Sequence, residues 1–195
     1  LSRDAIQEYL EARGLSYQAG WRDFFKKAQF LKASPDGRRL TPTLAGLVLF
    51  GSKPDLFCPQ CKIKADCFGA PLQPGLPLET VRVQKDISGP MGQALRDLES
   101  FFRANVPTVP HIIGSKRIDD TEYPVEVVRE AVVNALVHRD YQEGRHVSLQ
   151  LFRNAIVVRS PGTLLPPLTV ERIRSYDVVP LSRNPRIADA MYHMG

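Results

Sequence analysis

Three polar side chains, Glu130, Asn134 and His138, stand at i, i+4 and i+8 in the stretch Y-P-V-E-V-V-R-E-A-V-V-N-A-L-V-H-R-D-Y over residues 123–141. On a helix that spacing places a carboxylate, an amide and an imidazole on one face. Asn134 offers a hard oxygen donor of the kind magnesium accepts. The trio either lines a cleft or consists of core polars satisfied by nearby loops. A second grouping, Arg183 and Arg186, flanks a helix start at Asn184-Pro185, a setting that suits phosphate; a solvated basic edge is the alternative. The third is Cys58-Pro-Gln-Cys61 with Cys67. Structural zinc takes four ligands, and a fourth is absent nearby, so no zinc is expected and the three cysteines read as free buried thiols.

The elements that must position these groups follow from pattern. Pro124 suits a helix start, and no breaker intervenes before His138. Val128, Ala131, Val132, Ala135 and Leu136 share one face, while Val127, Val133 and Val137 flank the polar ladder, so the helix reads as largely buried. Upstream, Ser2 caps a helix running to Glu11, with Gly14 as its stop. A second helix is expected from Trp21 to Leu31, and Pro35-Asp36-Gly37 is a turn. A third helix spans Leu44 to Phe50. Helix, helix, turn, helix is compatible with a winged-helix-like reader or with a small packing unit that binds nothing.

Residues 61–67 alternate as a strand, and 80–87 reads as a strand pairing with it. Between them, 70–80 is a Pro-rich connector. Met91, Ala94, Leu95, Leu98, Phe101 and Phe102 form one helical stripe over 91–104. Residues 106–117 read as irregular, with a strand near His111–Ile113. Val147–Leu151 and Ala155–Arg159 read as a hairpin. Thr169 caps a short helix from Val170 to Arg174, and Asn184-Pro185 opens a last helix to about His193.

Composition sets further bounds. The chain has 195 residues, 43% hydrophobic content and a formal charge of +5. That balance permits nucleic-acid contact without requiring it. No apolar run approaches membrane-span length, and no basic-then-apolar leader is present. The Leu-Ser start without Met reads as a piece excised from a longer protein. An odd, small number of cysteines suits a reducing cytoplasm. No G-x-x-x-x-G-K-[ST] string occurs, which excludes a P-loop helicase motor. No G-x-S-x-G elbow occurs, and no Cys/His pair has hydrolase context.

Glu-x-x-x-Asn-Ala-x-x-His over 130–138 is similar to the N-box helix of the gyrase/Hsp90/histidine-kinase/MutL (GHKL) ATPase superfamily. The longer string R-E-A-V-V-N-A-L-V-H-R-D-Y resembles a bacterial RecG-related family, also described as transcriptional regulators. That family joins an AlbA/Schlafen-like N-terminal domain to a GHKL-like C-terminal domain. L-T-P-T-L-A-G-L-V-L-F-G over 40–51 resembles the segment closing the N-terminal domain of the same family. The resemblance implies an α/β (α+β) fold: an N-terminal helical segment with a small sheet, then a two-layer sandwich of helices on a mostly antiparallel sheet. It implies a division into 1–88, the helical linker and end of the AlbA/Schlafen-like part, and 89–195, a GHKL-like domain that stops before its Gly-rich lid.

By the same resemblance Glu130 is the catalytic residue that activates water, and Asn134 holds the magnesium bridging ATP. His138, Arg139, Asp140, Ser160, Gly162, Arg183 and Asn184 complete the nucleotide contacts. Ser160 stands where the superfamily has the Asp that reads adenine, and Leu164 where it has a second Gly. A Schlafen-like nuclease site is expected to need acidic residues from upstream of Leu1. The implied function is a weakly hydrolytic or degenerate ATP-binding module in a cytoplasmic, DNA-associated transcriptional regulator. DNA and a second copy of the chain are the expected partners, with no membrane contact. A DNA-contact module over residues 1–50 and a structural or dimerisation piece are the alternatives.

Overall fold

The computed structural model describes residues 1–17, 20–75, 81–113, 116–177 and 181–194, with only the backbone described between 108 and 121. Helix α1 (Arg3–Ala12) begins at Ser2, whose hydroxyl accepts from the Ala5 amide. Helix α2 (Trp21–Lys27) is shorter than its apolar pattern suggests. Gln29 takes a φ of 60°, a left-handed conformation that breaks the helical ladder. Leu31 is then buried from a strand, β1 (Leu31–Ala33), which pairs antiparallel with β2 (Leu40–Pro42) across the Pro35-Asp36-Gly37 turn. A hairpin thus separates α2 from α3 (Leu44–Phe50), where a bare turn is expected from sequence.

Thr43 caps α3 through its hydroxyl, which accepts from the Gly46 amide at 3.2 Å and donates to the Gln29 carbonyl at 2.7 Å. Gly46 is obligatory because a Cβ there would lie 2.0 Å from the Phe30 carbonyl oxygen. Tyr9, Phe25, Phe30 and Phe50 fill the space between these elements, with Phe25 and Phe50 centroids 4.9 Å apart and Tyr9 and Phe30 5.6 Å apart. Tilted and edge-on contacts of this kind add to the area that the rings bury.

The next elements are β3 (Ile63–Phe68), β4 (Val81–Ile87) and α4 (Met91–Asn105). In α4 the six residues of the sequence stripe are the six that are buried. Strands β5 (Thr108–Ile113) and β6 (Lys116–Thr121) pair antiparallel; the strand expected near His111–Ile113 lies in β5, while the rest of 106–117 is expected as irregular chain. Helix α5 (Val125–His138), the hairpin β7 (Val147–Leu151) and β8 (Ile156–Arg159), and helices α6 (Val170–Arg174) and α7 (Pro185–Met194) follow.

One four-stranded sheet, in the order β4-β3-β7-β8, takes two strands from each side of residue 88. Its outer pairings are antiparallel, while β3 and β7 run parallel, Ile63 opposite Val147 and Cys67 opposite Leu151. A parallel pair needs a long crossover, and the chain from β3 to β7 supplies one that contains α4 and α5. Both central strands are nearly sealed, as parallel strands covered by helices should be. Asp66 in β3 is buried with them and accepts from Gln84 on β4 at 2.9 Å.

Helix α5 packs against α4, α7 and the strands β7 and β8. It buries Val125, Val128, Val132, Ala135, Leu136 and Val137 but leaves Glu130, Asn134 and His138 exposed and Val127 63% exposed. The expectation of a largely buried helix is therefore corrected. Neighbours cover one broad face, and the polar ladder stays open.

Candidate functional site

The open face of α5 and the facing side of α7 enclose a cleft of about 550 Å³. Glu130, Asn134 and His138 all line it, together with Ser182 from the chain leading into α7 and Met191 and Tyr192 on α7. The i, i+4, i+8 spacing thus brings the three residues to one cavity. Asn134 Nδ2 donates to Glu130 Oε1 at 2.9 Å. That bond uses the amide nitrogen, so Asn134 Oδ1 and the other Glu130 oxygen keep their acceptor capacity. Arg129 also lines the cleft, steadied by Glu99 at 3.4 Å. Tyr192 is 85% exposed, with its ring 5.5 Å from that of His193.

Among the described residues no three His, Cys, Asp or Glu side chains gather into a metal site. Magnesium asks for less, because it keeps several waters and is held by one or two protein oxygens plus phosphate. Asn134 Oδ1 fits that requirement as a single protein oxygen, with the Glu130 carboxylate beside it.

The other residues expected at the nucleotide lie outside this cleft's walls. Arg139 is wholly buried: Nη1 donates to the Gln60 carbonyl at 2.7 Å, and Nη2 to the Arg145 and Glu143 carbonyls at 2.7 and 3.3 Å. Its guanidinium also lies over the Tyr141 ring at 4.6 Å, and burial pulls its pKa down. Tyr141 is sealed beside it and donates to the Leu136 carbonyl, and burial pushes its phenol pKa up. The resemblance assigns Arg139 to a ligand, whereas backbone carbonyls occupy its two Nη groups.

Asp140 and its neighbours form a clasp at the end of α5. Asp140 is 3.5 Å from Arg183, and its Oδ1 accepts from the Gln142 amide. Its own amide donates to the Pro161 carbonyl at 2.8 Å, and Gly162, at a φ of 126°, packs directly against it. Ser160 donates to the Ala135 carbonyl at 2.7 Å, which places its hydroxyl on the helix backbone. Asn184 donates from Nδ2 to the carbonyls of Val137 and Arg139, both at 2.8 Å, satisfying the last turn of α5. Arg183 donates to the Thr163 carbonyl at 2.8 Å. In this arrangement Ser160, Gly162, Arg183 and Asn184 join β8, α5 and the start of α7. No sequence signal distinguishes such a clasp from a ligand shell, because its acceptors are main-chain carbonyls.

Arg183 and Asn184 also border a separate cavity of about 670 Å³ shared with Lys26, Lys32 and Arg186. A third groove, of about 950 Å³, is lined by Arg3, Arg22, Lys26, Arg38 and Arg39, with Asp23 as its acidic member. Tyr17 and Trp21 stack in it at 5.5 Å, Arg3 covering the Tyr17 ring and Arg22 the Trp21 ring. Among the cysteines, Cys58 and Cys61 form a disulfide with Cα atoms 5.4 Å apart, while Cys67 is free and buried. The expectation of three free thiols is corrected here. A turn bond from the Cys61 amide to the Cys58 carbonyl brings the two residues together.

Residues 144–195 match the family described as "Putative ATP-dependent DNA helicase recG C-terminal". The matched segment runs from β7 to α7 and does not reach Glu130, Asn134 or His138. No curated protein matches the chain. The fold is similar to the crystal structure of the DIP2311 protein from Corynebacterium diphtheriae, with a TM-score of 0.70 at 20% identity. That likeness covers 99% of this chain and 36% of the other, so the chain spans about a third of that protein's length. At such identity it speaks to the fold alone. No described helix is long and apolar enough to cross a membrane.

Proposed function

We propose that the cleft between α5 and α7 binds a nucleoside triphosphate through magnesium, within a RecG-related, ATPase-like domain. The observation that carries this reading is the joint exposure of Glu130, Asn134 and His138 in one cavity. Asn134 Oδ1 is the protein ligand to the metal, and Glu130 orients a water. When bound, magnesium neutralises phosphate charge. Arg129 is the cationic side chain on the cleft wall.

The base is read weakly. Glu130 is the one carboxylate among the described lining residues, and Ser160 is committed to the Ala135 carbonyl. An exposed Tyr192 ring offers a stacking surface to any purine. ATP and GTP should therefore compete within about tenfold, or roughly 1.4 kcal/mol. Glu130→Gln should leave binding intact and abolish hydrolysis. Competition binding with labelled ATP checks the first statement and phosphate release the second. A hundredfold preference for ATP would contradict the weak reading of the base.

The basic groove favours a second role, contact with DNA in the whole regulator. Among the described residues, Arg3, Arg22, Lys26, Arg38 and Arg39 face one groove against a single acidic residue, Asp23. Neutralised phosphates give a salt-dependent affinity, with a slope of about −0.9 per contact for duplex DNA. Replacing both Arg38 and Arg39 by alanine should make that slope shallower by roughly two. An unchanged slope in fluorescence anisotropy would remove the hairpin from the interface.

A further inference from the structure

The loop from Cys58 to Cys61 holds the segment after α5 by two hydrogen bonds. The Gln60 carbonyl accepts from Arg139 Nη1 at 2.7 Å, and Gln60 Nε2 donates to the Tyr141 carbonyl at 2.8 Å. Gln60 lies between the two cysteines of the disulfide. The Arg139 guanidinium that it anchors also organises the carbonyls of Glu143 and Arg145. The covalent closure of a four-residue loop and the setting of residues 139–145 therefore meet at one side chain.

We propose that Cys58–Cys61 is a reversible thiol–disulfide site for a dithiol reductant, and that its state sets the order of residues 139–145. Cys58 is 6% exposed, whereas Cys61 is only partly covered, so Cys61 Sγ is the sulfur open to attack. A thiolate of the reductant bonds to Cys61 Sγ, the Sγ–Sγ bond breaks, and Cys58 leaves as a thiolate and takes a proton. The second thiolate of the reductant then attacks its partner sulfur in the mixed disulfide and releases Cys61. Two electrons and two protons pass from the dithiol to the cysteine pair, and the reductant departs as its own disulfide.

Once open, Pro59 and Gln60 are held by hydrogen bonds alone, from the Cys61 amide to the Cys58 carbonyl and from Gln60 Nε2 to the Tyr141 carbonyl. The Gln60 carbonyl then loses its fixed direction, and Arg139 loses a fixed acceptor. The amides of Gln142 and Glu143, bonded to Asp140, report the loosening.

The test needs no nucleotide, so its outcome is independent of the reading of the cleft. Intact protein isolated without reductant is alkylated after denaturation and weighed, before and after dithiothreitol treatment under native conditions. One alkylated thiol, that of Cys67, is expected before treatment and three after, with reoxidation restoring one. Hydrogen exchange at 139–145 should quicken roughly tenfold on reduction, and a variant with Cys58→Ser and Cys61→Ser should show the fast rate in either buffer. Three thiols without reductant, a bond that resists native dithiothreitol, or equal exchange in both states would each overturn the proposal.

Discussion

Asn134→Ala loses on the order of 100-fold of magnesium-dependent nucleotide affinity and melts within about 2 °C of the parent protein. The two halves of that result belong together. Asn134 is exposed on α5, and among the described residues its side chain bonds to the neighbouring exposed Glu130. Exposed pairs of this kind contribute a few tenths of a kcal/mol, so the fold has little to lose. The loss of a hard oxygen donor, by contrast, falls directly on the metal. Chelating magnesium should therefore erase the difference between variant and parent. A variant that binds normally but melts far lower would return Asn134 to the core polars.

Arg139→Met should do the reverse. It removes the donors that satisfy the carbonyls of Gln60, Glu143 and Arg145 in a site with no exposure. Leaving buried acceptors unpaired and losing charge-assisted bonds costs about 4 kcal/mol, a fall of on the order of 10 °C for a chain of this size. Arg139→Lys should recover less than half, because one ammonium cannot reproduce a planar fork that reaches three carbonyls. Thermal melts of the two variants settle the matter. A stable Arg139→Met protein that had lost only nucleotide binding would make Arg139 a ligand after all.

The contrast between Asn134 and Arg139 marks what is legible in the sequence. Local periodicity carries helices whose partners lie on one side, so the α4 stripe and the bounds of α3, β7 and α6 follow from pattern. The cleft trio is legible for the same reason, since i+4 spacing is itself a statement about one helical face. Non-local pairing is not. The parallel register of β3 and β7 joins residues more than 80 positions apart, and nothing in either strand names its partner. The bend at Gln29 is invisible because the apolar spacing of Phe24, Phe25, Ala28 and Leu31 continues through it. The clasp around Asp140 cannot be told from a ligand shell by sequence, because Arg, Asn and Ser serve carbonyls and phosphates with the same donors.

Calorimetric titration of the intact protein with ATP, once with magnesium and once with EDTA, tests the central claim most directly. The cleft reading predicts saturable binding with magnesium and a loss of at least roughly 100-fold, or 2.7 kcal/mol, on chelation. Equal binding in both buffers, or no heat at millimolar ATP in either, would contradict it.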